Sequence, residues 1–157
     1  MELTEVRTEI MDAKNRGEIS TCPCCDQVVK QYKRKLNGPI AEILVLIYHY
    51  FQKPVHDDFL HVDEFLKTYD INCRYYSLLE RWGLIEAMPG ERDDGSNRTG
   101  FWRITLKGQQ FVRKEIEVPE YFLMYNKANE GFGGNGITIV DALRSGGFNY
   151  EEMMKGL

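Results

Sequence analysis

Apolar residues recur along the chain with rhythms that separate helices from strands. Between residues 38 and 52, Ile40, Ile43, Leu44, Ile47 and Phe51 stand at i, i+3, i+4, i+7 and i+11. That spacing lays one side of an α-helix against a core. Pro39 suits the first turn, and Gln52-Lys53-Pro54 ends the helix. His61 to Tyr69 reads as a shorter helix with Phe65, Leu66 and Tyr69 inward. Asp70-Ile71-Asn72 is then a turn, with Asn72 placed to cap the next helix. That third helix is expected from about Cys73 to Trp82. Tyr75, Leu78, Leu79 and Trp82 form its inner face, Arg74, Tyr76, Ser77 and Arg81 its outer face, and Gly83 its stop.

After Gly83 the period shortens. Leu84 to Met88 is a short strand, Pro89 to Gly100 a polar hairpin loop, and Phe101 to Ile104 the return strand. Thr105 caps a short helix through Phe111. Residues 4–17 look helical but carry few apolar positions, chiefly Val6, Ile10 and Met11, which suggests a loosely docked or partner-dependent helix. Val118 to Tyr125 reads as extended, Glu130 to Gly136 as a glycine-rich loop, Ile137 to Arg144 as a strand or helix, and Tyr150 to Lys155 as a helix capped by Asn149. The expected class is mainly α with a small β hairpin (α+β). Residues 1–37 form an N-terminal helix and a cysteine-bearing basic arm, 38–114 a central domain, and 115–157 a C-terminal extension.

Two stretches carry a resemblance. Leu78-Leu79-x-x-Trp82-Gly83-Leu84-Ile85-Glu86, followed by Trp102-Arg103-Ile104-Thr105-x-Lys107-Gly108, resembles the pattern of many bacterial transcriptional regulators with a winged helix-turn-helix fold. It covers roughly residues 38–114. The whole chain is also similar to a family of small phage and prophage proteins. They share a Cys-Pro-x-Cys element, here Cys22-Pro23-Cys24-Cys25, and a basic stretch, here Tyr32-Lys33-Arg34-Lys35-Leu36-Asn37. This second resemblance supplies context rather than mechanism. The first implies duplex DNA as partner, with the third helix in the major groove and the wing on the backbone or minor groove. Arg74, Tyr76, Ser77 and Arg81 are then the base-reading candidates. Arg92 and Arg98 would act from the wing, and Lys33, Arg34 and Lys35 on phosphates. An arginine paired in bidentate fashion with guanine supplies ~1–3 kcal/mol of discrimination. A homodimer matched to two half-sites accords with this fold.

Charge complicates that expectation. The chain of 157 residues has a net charge of −4, which does not advertise an affinity for nucleic acid. Its distribution is uneven. Residues 26–38 are +3 and residues 101–114 are +4, while residues 39–70 and the tail from Glu115 are each −4. The two basic blocks either share a face or are solvated surfaces opposite acidic neighbours. Asp93 and Asp94 near the wing tip would repel phosphate, and Glu80 stands beside Arg81. The competing function is a protein–protein interaction module on the same scaffold, acting on a host or phage protein.

At 43% hydrophobic and 28% charged residues, the composition is that of a globular protein, not a disordered or collagenous one. The longest apolar run, Ile43 to Ile47, is too short to cross a bilayer, and the N-terminus has no apolar stretch of signal-peptide type. A cytoplasmic protein without a membrane partner is expected. In that compartment structural disulfides are disfavoured. Cys22-x-x-Cys25 has the spacing of half a zinc knuckle, and Cys73, His49, His56 and His61 are the further ligands at hand. Zinc on Cys22 and Cys25 and reduced thiols, structural or redox-sensitive, therefore both stand. Gly131-x-Gly133-x-x-Gly136 matches a dinucleotide fingerprint, but only 21 residues come after it, too few for the helix, strand and ribose-binding acid required. A surface loop is expected there. No set of nucleophile, base and acid assembles, so no enzyme is expected.

Overall fold

A computed structural model describes residues 2–53, 58–89, 100–125 and 128–155, apart from the side chains of 128 and 129. The fold is mixed α+β, with three small sheets among the described residues. It divides into two compact units, Met1–Lys35 with Tyr121–Gly134, and Leu36–Glu120 with Asn135–Leu157.

The larger unit is built around α2 (Gly38–Gln52). The Asn37 side chain accepts from the Ile40 N–H at 3.1 Å and starts the helix. Of the predicted stripe, Ile40, Ile43, Leu44 and Ile47 are buried and Phe51 is half-buried. Ala41, Val45, Leu46 and Tyr48 are buried too, so α2 is covered on nearly every side. β4 (Leu60–His61), α3 (Val62–Lys67), a 3-10 helix (Tyr75–Trp82), β5 (Ile85–Ala87), β6 (Phe101–Ile104) and α4 (Leu106–Val112) come next. β6 is central in an antiparallel sheet of order β4-β6-β5, with Ile85 opposite Ile104 and Leu60 opposite Trp102. The loop expected over Pro89 to Gly100 lies mostly outside the described residues.

A small hydrogen-bonded clasp fixes the chain between the 3-10 helix and α4. Gly83 takes the left-handed conformation at φ +74° and ends the 3-10 helix. The Leu84 carbonyl accepts from the Thr105 N–H at 3.1 Å. The Thr105 hydroxyl donates to the Gly83 carbonyl at 2.6 Å and accepts from the Gly108 N–H at 3.0 Å. A β-carbon on Gly108 would press on the Leu84 carbonyl oxygen and on the Ile104 side chain.

Past α4, β7 (Val118–Tyr125) and β8 (Ala128–Ile137) each run through both units. Glu130 to Gly136, expected as a loop, is the body of β8. Glycine within this strand has a steric use at position 133, where the Tyr121 ring occupies the space a β-carbon would need. Residues 137–144, read as strand or helix, hold α5 (Ile139–Arg144), opened by a Thr138–Asp141 capping box. α6 (Tyr150–Lys155) has the predicted bounds. Its Tyr150 hydroxyl donates to the Val112 carbonyl at 2.7 Å.

The smaller unit contains α1 (Leu3–Asn15), a β1–β2 hairpin (Ser20–Thr21 with Val28–Val29) and β3 (Tyr32–Lys35). β3 pairs with β7, the middle strand of a β3-β7-β8 sheet. As the sparse pattern predicts, α1 contributes no buried apolar side chain. Its one buried residue is Lys14, whose Nζ reaches the two Glu130 carboxylate oxygens at 2.7 and 2.8 Å and lies 4.2 Å from the centre of the Tyr125 ring.

The clasp should tolerate no side chain at position 108. Gly108→Ala is expected to cost roughly 2–3 kcal/mol, read as a lowered urea midpoint. An unchanged midpoint would show that the contact between α4 and Leu84 is not close-packed.

Candidate nucleic-acid interface

The segment expected to read bases is a 3-10 helix, and that changes which side chains face outward. With three residues per turn, positions i, i+3 and i+6 eclipse. Tyr76, Leu79 and Trp82 obey that spacing, and all three are buried. Tyr76, expected on the outer face, is thus turned inward. Its hydroxyl donates to Asp63 Oδ1 at 3.1 Å, and its ring stands edge-on to Trp102. Tyr75, expected on the inner face, is 65% exposed. Arg74 and Arg81 are exposed as expected, and Ser77 and Leu78 are half-buried. Trp82 donates its indole N–H to the Pro119 carbonyl at 2.8 Å.

Beside this helix lies a groove of about 730 Å³ whose walls include Asp63, Lys67, Asp70, Arg74, Tyr76 and Ser77. Two carboxylates and two cations share it, so it does not offer the uniform positive field that attracts a phosphate backbone. Within the +4 block, Arg103 is engaged by Glu86 and stacks on Phe59, Arg113 Nε donates to the Tyr48 hydroxyl at 2.9 Å, and Lys114 lies over the Tyr150 ring. The Tyr48 hydroxyl also raises the pKa of Arg113 by hydrogen bonding and charge. Arg92 and Arg98 lie outside the described residues.

The other basic block has a different setting. All four residues of β3, Tyr32, Lys33, Arg34 and Lys35, are exposed. Among the described residues, no ion pair includes Lys33, Arg34 or Lys35. Register places Tyr32 opposite Met124 and Arg34 opposite Phe122, while Lys33 and Lys35 stand opposite Leu123 and Tyr121. Directly opposed residues project to the same side. The strand therefore puts Tyr32 and Arg34 on one face and Lys33 and Lys35 on the other. Lys30 and Arg34 approach the Tyr32 ring, at 4.8 and 6.0 Å from its centre, and Lys33 lies 4.9 Å from the centre of the Tyr121 ring.

The cysteine cluster occupies the turn of the β1–β2 hairpin. The Cys22 N–H donates to the Gln27 carbonyl, and the Asp26 N–H to the Cys22 carbonyl, each at 2.8 Å. All four cysteines are free thiols, with Cys24 and Cys25 exposed. The backbone N–H groups of Cys24 and then Cys25, aided by the neighbouring thiols, hold the Cys22 thiol below the ordinary range. Among the described residues, no group of three or more His, Cys, Asp and Glu side chains is arranged to hold a metal ion. Two of the histidines that could have completed a zinc site have other roles. His49 Nε2 is 3.0 Å from the Met153 carbonyl, and His61 Nδ1 accepts from the Glu64 N–H at the start of α3. His56 lies outside the described residues.

Sequence reasoning missed Tyr75 as an exposed aromatic and Lys30 as a neighbour of Tyr32. Lys30 lies in the link between β2 and β3, outside either strand, so no strand alternation in the sequence signalled its approach to Tyr32. No helix among the described residues is long and apolar enough to cross a membrane. Comparison with protein-family models, curated proteins and solved structures gave no match.

Tyr76→Phe should lower stability by about 1 kcal/mol through loss of the bond to Asp63, measured by urea unfolding, without changing affinity for nucleic acid. A loss of affinity at unchanged stability would return Tyr76 to the interface. Because the Cys22 thiolate is favoured, the pH midpoint for its alkylation by iodoacetamide should fall below the ordinary value of about 8.5. The lowering should survive Cys24→Ser, since its largest cause is a backbone N–H; a midpoint at or above the ordinary value contradicts the assignment.

Proposed function

We propose that this protein binds duplex DNA, as a regulator of the phage or prophage type it resembles, and acts by binding rather than catalysis. The observation that carries the reading is β3, where three consecutive cations are exposed on a four-residue strand with no carboxylate partner among the described residues. Such a run neutralises phosphates and releases their counterions, the main source of sequence-independent affinity. The order α2, β4, α3, 3-10 helix, β5, β6, α4 supports a winged helix-turn-helix in the larger unit. In that scaffold Arg74, Arg81 and half-buried Ser77 remain the base-reading candidates, and exposed Tyr75 joins them in place of Tyr76.

A second reading, the same scaffold as a protein-interaction module, is favoured by the groove beside Arg74. Its carboxylates Asp63 and Asp70 discourage phosphate, and three of the four cations in residues 101–114 already have partners within the fold.

The test is the salt dependence of binding to random duplex. Wild-type protein should bind at low salt in the micromolar range or tighter. Replacing Lys33, Arg34 and Lys35 together by alanine should weaken binding. It should also flatten the slope of log K against log salt by about 0.9 for each phosphate left without its cation. No binding by the wild-type chain at low salt would remove the DNA reading and leave the interaction module.

A further inference from the structure

We propose that Tyr32 is a stacking platform for an unpaired base, so that the smaller unit binds single-stranded nucleic acid as well as contacting duplex phosphates. The inference rests on the reading of β3 as facing nucleic acid, and it adds a second kind of substrate and the residue that selects it. Tyr32 is an aromatic side chain 46% exposed on a strand whose other three residues are all cations. A ring that served only to fill the core would be covered, as Phe122 on the neighbouring strand is.

The surroundings of the ring fit a nucleotide rather than an apolar partner. Lys30 precedes it and Arg34 comes after it, each with its cationic group within about 6 Å of the ring centre, at 4.8 and 6.0 Å respectively. A base laid on the ring would have a cation on each side along the chain, placed for its own phosphate and the next. Lys33 and Lys35, on the opposite face, add positive field without crowding the ring. An exposed cation–π contact is a weaker interaction than a base stacked on an aromatic side chain. A base can therefore displace a surface cation from the ring and leave that cation free to meet phosphate. Bases in an intact duplex are already stacked on one another, so this contact distinguishes single strands from duplex.

The experiment measures binding of the full-length chain to labelled oligo(dT) and to a blunt random duplex at the same low salt. Tyr32→Ala should weaken oligo(dT) binding about tenfold and leave duplex binding within about twofold. Tyr32→Phe, which keeps the ring, should restore oligo(dT) affinity, and an unchanged melting curve for both variants excludes a folding defect. Unchanged oligo(dT) affinity in Tyr32→Ala overturns the inference, as does an equal loss on both ligands. A wild-type chain that binds duplex but not oligo(dT) retains the proposed function and sinks this inference. One that binds only oligo(dT) does the reverse.

Discussion

The arrangement of the larger unit depends on the clasp between Gly83-Leu84 and Thr105-Gly108. A chain leaving a helix and entering a strand must satisfy its carbonyls and turn sharply within a few residues. Gly83 supplies the left-handed turn, and its carbonyl is taken by the Thr105 hydroxyl. That hydroxyl also caps α4, while the Leu84 carbonyl takes the Thr105 N–H. One residue, through its hydroxyl and its backbone N–H, thus ties the end of the 3-10 helix, the start of β5 and the start of α4 into a single node. Gly108 permits it because any β-carbon there would meet the Leu84 carbonyl. With the node closed, Leu84, Ile85, Ile104 and Phe111 are delivered to the core around α2.

Charge is disposed differently in the two units. In the larger one, cations are answered locally by Glu86, by the Tyr48 hydroxyl and by the Tyr150 ring. In the smaller one, the buried cation Lys14 is answered by Glu130, whereas the cations of β3 face solvent beside tyrosine rings. A net charge of −4 for the whole chain therefore says little about either surface. Affinity for a polyanion depends on the local field, which falls off over about 10 Å at ordinary salt.

Much of the secondary structure was legible from local rules. The α2 stripe, the Pro39 start of that helix, the Thr105 cap, the Gly83 stop and the α6 bounds all rest on interactions between near neighbours in sequence. The candidate site was legible only in part. The run Tyr32 to Lys35 could be named from its composition, but its being a strand depends on pairing with β7, nearly ninety residues away. Gly133 of β8 read as part of a loop because its value lies in admitting the Tyr121 ring, a contact with another strand.

Local chemistry written in the chain was enough to place most helix starts and stops, and to reveal two basic blocks within an acidic whole. Capping, glycine turns and apolar periodicity act within a few residues, so they can be read directly. It took the folded chain to show that the segment from Tyr75 to Trp82 winds at three residues per turn, burying Tyr76 and exposing Tyr75. The two helical geometries differ little over so short a span. Packing of Tyr76 on Trp102 and Asp63, with the Trp82 indole held by the Pro119 carbonyl, selects between them. Long-range pairing likewise set which basic block is engaged within the fold and which faces outward, because a cation's partner is whatever the fold brings beside it.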